Sequence, residues 1–269
     1  MDNRAIGVFD SGLGGLTAVR QLRRILPAEN IIYFGDTSRV PYGGRSRETL
    51  LKFARQDVRF MHSFDIKAIL IACGTVSTNA LAELRAENDL PILGVVEPAC
   101  RRAVQLTKAR RVGLIATAAS VRSGAYAAAI HRMDDGIEVL SKACPLFVPL
   151  VENGRFRPGD TVVETVAREY LTPLKEAGID VLILGCTHYP LLTDVISAVM
   201  GPEVALIDTG AEAAQELHRE LTDTGALAEE RCGTALYCVS DRPEDFGSLA
   251  GQFLQEEVPS VRQVDIERY

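Results

Sequence analysis

A chain of 269 residues can form one large domain or two medium ones, each burying its own core. A net charge of −7, with lysines and arginines scattered, argues against nucleic acid as the main partner. The apolar share of 47% is that of a globular protein, and no tract approaches the roughly 18 apolar residues of a membrane span. The start, Met1-Asp2-Asn3-Arg4, leads straight into a strand with no apolar leader, so the expected compartment is the cytoplasm, with thiols reduced. Cysteines stand at 73, 100, 144, 186, 232 and 238; none forms a CxxC pair or joins a zinc-spaced His/Cys cluster, so no metal site is expected.

The first predicted strand is Ala5 to Phe9, followed by Asp10-Ser11-Gly12-Leu13-Gly14-Gly15 and a helix with Leu16, Val19, Leu22, Ile25 and Leu26 on one face, closed by Pro27. The glycine loop does not fit a nucleotide fingerprint. Thr17 occupies the place of the third glycine, and a Walker lysine is missing. What remains is a set of backbone N–H groups at a helix start, suited to an anion such as a carboxylate. A strand at Ile31 to Gly35, a loop from Asp36 to Arg47 and a helix carrying Leu50, Leu51, Ala54, Val58 and Met61 come next.

The strand ending at Cys73 precedes a helix expected over Thr75 to Glu87, and Pro91 to Val96 reads as another strand before a basic helix opened by Glu97-Pro98. The basic run Arg101, Arg102, Lys108, Arg110 and Arg111 reads as a solvated face. Val112 to Thr117 resembles the opening strand, with Ser120 as the expected helix cap. A short strand at Ile137 to Leu140, an apolar stretch from Phe147 ending in Glu152-Asn153-Gly154, and a helix over Asp160 to Ala177 follow. Val181 to Leu184 is a buried strand leading into Gly185-Cys186-Thr187-His188-Tyr189-Pro190. The chain ends with strands at Val204 to Asp208, Ala235 to Val239 and Val261 to Ile266, separated by helices to about Leu221 and from Pro243. The β/α alternation predicts parallel sheets with helices on both faces.

Asp65 to Thr75 and Asp180 to Thr187 echo each other: an aspartate, an apolar strand, a small residue, then cysteine and threonine. The opening strands at Ile6 and Val112 are offset by a similar amount, which suggests two related halves with a thiol on each wall of a shared cleft. Cys100, Cys144, Cys232 and Cys238 read as small buried residues. For Cys73 and Cys186 the alternatives are inert buried thiols, a redox disulfide, or an acid and a base on opposite faces of a stereocentre. A thiol can serve as either, and a helix N-terminus beyond each strand is expected to lower its pKa.

The phrases Val8 to Gly15, Asp36-Thr37 with Pro41-Tyr42-Gly43, Ala72 to Thr75, Val151 to Gly154 and Gly185 to Pro190 together resemble the cofactor-independent aspartate/glutamate racemase family. The resemblance covers nearly the whole chain. It implies two flavodoxin-like, pseudo-symmetric α/β domains with the site between them: residues 1–97 plus 208–269 carrying Cys73, and 98–207 carrying Cys186. It implies Cys73 and Cys186 as catalytic acid/bases, Asp10 and Ser11 meeting the substrate amino group and helping Cys73, and Tyr42 and Gly43 lining the site. Thr75, Thr117 and Thr187 would bind substrate, and Glu152 and His188 would assist Cys186. Gly74 departs from the family's usual asparagine and leaves only a backbone N–H there. The implied reaction converts L-glutamate to D-glutamate for peptidoglycan, without cofactor or metal, in a homodimer. The alternatives are an aspartate or broader amino-acid racemase and a non-enzymatic regulator on the same fold.

Overall fold

The computed structural model describes residues 1–229, 233–256, 258 and 260–269. Cys232 lies outside the described residues. Among the described residues ten strands form two sheets: β1 (Ala5–Asp10), β2 (Ile31–Gly35), β3 (Ile66–Ile71), β4 (Ile92–Gly94), β5 (Arg111–Ala116), β6 (Glu138–Ala143), β7 (Val181–Leu184), β8 (Ala205–Asp208), β9 (Ala235–Val239) and β10 (Val261–Gln263). The first sheet runs β10-β9-β2-β1-β3-β4 and the second β6-β5-β7-β8. Every strand pairing in both is parallel.

The internal echo has a topological counterpart. The order β2-β1-β3-β4 recurs as β6-β5-β7-β8, so β3 and β7, the strands that lead into Cys73 and Cys186, hold equivalent central places. This is the start of the flavodoxin-like order, in which ligands lie beyond the carboxyl ends of the strands. β1, β3 and β7 are buried at every position, as strands covered on both faces must be. The first sheet gains β9 and β10 from the returning C-terminal segment.

The structure moves several expected boundaries. The helix after Cys73 is two short helices, Gly74–Asn79 and Leu81–Ala86, broken at Ala80. Its first stretch is rich in short polar side chains that bond back to the backbone: Thr78 donates to the Gly74 carbonyl at 2.9 Å and the Asn79 amide to the Thr75 carbonyl at 2.8 Å. Thr117, not Ser120, caps the helix Ala118–Ser123; its hydroxyl accepts from the Ser120 N–H at 3.3 Å. β4 ends at Gly94 and the next helix, Val96–Leu106, starts before Glu97. Phe147–Glu152 is helical, and Ile266–Arg268 is a 3₁₀ turn rather than the end of a strand. No regular helix opens at Cys186. The chain makes a turn, a 3₁₀ segment at Tyr189–Leu192 beginning with Pro190 close behind, and only then the helix Thr193–Met200.

The basic run is a solvated face, with exposed Arg101 bonded to Glu216 at 2.8 Å and Arg110 to Asp134 at 2.7 Å. Among the described residues, no helix is long and apolar enough to cross a membrane.

Candidate active site

Loops from the carboxyl ends of both sheets enclose a cavity of about 440 Å³, within the range of small-molecule sites. Ser11, Tyr42, Gly43, Cys73, Gly74 and Thr75 line it from the first sheet, and Thr117, Glu152, Cys186, Thr187 and His188 from the second. The two sulfurs therefore open into one space. Every residue expected at the site lies on this wall except Asp10. Among the described residues no lysine or arginine lines it; hydroxyls, backbone N–H groups and His188 face the space. Thr75 and Thr117 join the two sides directly, hydroxyl to hydroxyl at 2.9 Å.

Asp10 lies behind the wall with no exposed surface. The anion that the glycine loop receives is this carboxylate: the Gly12 N–H donates to it at 3.0 Å, and the N–H groups of Gly15 and Ser11 also face it. Burial pushes the Asp10 carboxyl up, while the His188 charge and those N–H groups pull it back. The glycines also permit close packing. A Cβ at Gly14 would stand 2.2 Å from the Thr187 hydroxyl and 2.5 Å from His188 Nδ1. The loop thus carries the opposing turn on its bare backbone, and Thr17 fastens the contact by donating to the Thr187 carbonyl at 3.0 Å.

Cys73 is the N-cap residue of the helix Gly74–Asn79, yet its thiol is not acidified. Burial, with the Asp10 charge adding to it, pushes Cys73 up to about 12, against hydrogen bonds with Ser11 and the Val76 N–H. The helix terminus is outweighed by desolvation. At neutral pH Cys73 is a thiol, placed to give a proton.

On the other wall, Cys186 Sγ lies 3.9 Å from His188 Nδ1, and His188 Nε2 lies 2.9 Å from Glu152 Oε1. Burial works against a charged imidazole, but hydrogen bonds to Cys186 and Glu152 and their charges override it and push His188 up to about 10. Both ring nitrogens then carry protons, so His188 donates to the sulfur and to the carboxylate together. Phe253, from the helix Pro243–Leu254, packs edge-on against the imidazole with ring centres 5.5 Å apart. A sulfur anion on this wall has a partner ready; the arrangement can hold a base opposite an acid.

Three features were not legible beforehand. Cys144, read as a small buried residue, lines the cavity with Pro145, Val148 and Pro149; the Cys-Pro step before the apolar stretch was the available signal. At Gly74 a Cβ would sit 2.5 Å from the Gly185 carbonyl oxygen, so the missing side chain lets the ends of β3 and β7 meet. Tyr126, behind that contact, has a fully buried hydroxyl with no hydrogen-bond partner among the described residues. An unpaired buried hydroxyl costs about 1–3 kcal/mol, so Tyr126→Phe should raise the denaturant midpoint; a lowered midpoint would show that the hydroxyl is bonded. Among the described residues no group of three His, Cys, Asp or Glu is placed to hold a metal ion.

Residues 6–217 match the Asp/Glu/Hydantoin racemase family, and the chain belongs to that family. The chain is similar to a glutamate racemase of Geobacter metallireducens, 44% identical over 98% of this chain and 97% of that protein. Two crystal structures are similar throughout. One is a glutamate racemase from Bacillus anthracis, with TM-score 0.94, 38% identity and 98% of each chain covered. The other is the Francisella tularensis glutamate racemase in complex with D-glutamate, with TM-score 0.93, 40% identity and 100% of each chain covered.

Proposed function

We propose that the protein interconverts L- and D-glutamate by proton transfer between two thiols. The observation that carries this reading is that Cys73 and Cys186 reach one cavity from opposite sheets. The sulfur anion on one wall takes the α-proton; the Cα–H bond breaks, an S–H bond forms, and the electron pair spreads from Cα into the carboxylate. The thiol on the other wall then gives its proton to the opposite face. The products are the other enantiomer and a thiol pair with its protonation exchanged, ready for the reverse reaction.

The α-proton of an amino acid is weakly acidic, so the wall must favour the carbanion. Oriented N–H groups and hydroxyls of Ser11, Thr75, Thr117 and Thr187 around the cavity supply that preference. Asp10 acts from behind, through the loop that bears Ser11, and Glu152 acts from the wall through His188.

The reaction's product suits peptidoglycan synthesis, in the cytoplasm, by a homodimer. A single-chain mass by light scattering would remove the dimer. Two domains, 1–97 with 208–269 and 98–207, follow the membership of the sheets except at Asp208, the last residue of β8; separate expression of 98–207 as an unfolded chain would count against the division.

The deciding measurement is incorporation of solvent deuterium at Cα, with glutamate and aspartate side by side. Racemisation of glutamate with label in both enantiomers is expected. Aspartate turned over in preference to glutamate would shift the substrate, consistent with the glycine at position 74, and no exchange with either would leave a non-enzymatic protein on a racemase fold.

A further inference from the structure

The loop that carries Tyr42 and Gly43 crosses from the first sheet to the second. Its tip reaches the opposite side, where the Ala119 N–H donates to the Gly43 carbonyl at 3.0 Å and a Cβ at Gly43 would stand 3.0 Å from Thr117. Its root is a charged cluster built on Arg39. Arg39 Nε donates to Asp36 at 2.6 Å and its Nη2 to Asp57 at 3.1 Å, with Gln56 also accepting from it. Both carboxylates are fully buried, and Arg39 itself is only 10% exposed.

The same guanidinium packs 4.2 Å above the Phe53 ring, and Phe53 packs on the Tyr42 ring at 5.5 Å between centres. The Tyr42 hydroxyl donates to Asp36, which also accepts from Ser240 at 2.8 Å. Glu267, in the C-terminal turn, lies 3.6 Å from Arg39. One cation thus meets two buried acids and touches, through Phe53 and Asp36, both the face and the hydroxyl of a residue on the cavity wall; burial and the Asp36 charge push the Asp57 carboxyl well up, and Arg39 pulls it back. Asp57 Oδ2 has no hydrogen-bond partner among the described residues, so the cluster has little to spare if its cation is lost.

We propose that Arg39 is a positioning residue of the racemase site: by holding Asp36 and Asp57 together, it sets how far the Tyr42–Gly43 wall reaches across to Thr117 and hence how closely the cavity grips a dicarboxylic amino acid. This inference rests on the functional reading above. Arg39 touches no substrate; its effect travels through the wall. Lysine cannot reproduce the role, because one point charge cannot serve two carboxylates and a ring face in a fixed fork.

The test compares wild type, Arg39→Gln, Arg39→Lys and Arg39→Gln combined with Asp57→Asn, with kcat, KM and melting temperature for each. In Arg39→Gln the KM for both enantiomers should rise at least about tenfold while kcat changes less than about threefold, the pattern of lost grip rather than lost chemistry. The double variant, with cation and one acid removed together, should recover most of the KM. If Arg39→Gln does not fold, Arg39→Lys carries the test, with a KM rise of about threefold or more. A KM within about twofold of wild type in the single variants, or a fall in melting temperature with KM unmoved, would overturn the inference. A wild type that racemises neither glutamate nor aspartate removes the functional reading and this inference together, whereas a racemising wild type beside unaltered Arg39 variants removes the inference alone.

Discussion

Replacing either Cys73 or Cys186 with alanine is expected to lower racemisation by at least about a thousandfold in both directions, the scale of a lost general acid or base. The two directions must fall together because enantiomers have equal free energy, so kcat/KM is the same from either side in wild type and variant alike. Exchange without inversion separates the two thiols. A variant with one sulfur left still has a base for one face, so it should wash solvent deuterium into one enantiomer only, and the two variants should choose opposite enantiomers. Both cysteines are buried, but each change removes a single sulfur, and the fold should survive it. Identical exchange patterns in the two variants, or near-normal turnover by either, would end the two-thiol scheme.

The thiols were the most legible part of the site because strand, small residue and cysteine recur in both halves, and parallel strands bring such ends to one edge. The repeated strand order explains why a sequence echo became two facing walls. Protonation was not legible. A helix begins at Cys73, as the sequence suggested, yet Asp10 and burial decide the thiol's state, and both depend on packing between distant segments. The glycine loop illustrates the same limit: its composition announces exposed N–H groups, but only the fold shows Asp10 taking them and Thr187 and His188 covering the bare backbone. The Arg39 cluster left no local signal, since its acids lie on β2's trailing loop and the helix Arg47–Met61. Boundaries slipped where short polar side chains compete with the backbone, as at Thr78 and Asn79, or where Pro190 delays a helix.

His188→Asn should cost racemisation about a hundred- to a thousandfold, because it removes both the donor to Cys186 and the link to Glu152. It should also change how stability depends on pH. In the folded chain His188 is raised from an ordinary value of 6.5 to about 10. A group raised on folding stabilises fully while it is protonated in both states, below 6.5, and that contribution drains away as pH climbs through 10, where the folded chain releases the proton too. The wild type's margin over His188→Asn should therefore be widest at the acid end of this interval, on the order of a few kcal/mol, and fade across it. Urea titrations at its two ends and its middle measure the margin directly. A margin that stays flat, or grows with alkali, would mean that His188 is neutral in the folded chain. In that case only one ring nitrogen would carry a proton, and it could not donate to Cys186 and Glu152 at once. The stability curve thus reads the protonation on which the base side of the site depends, with no substrate present.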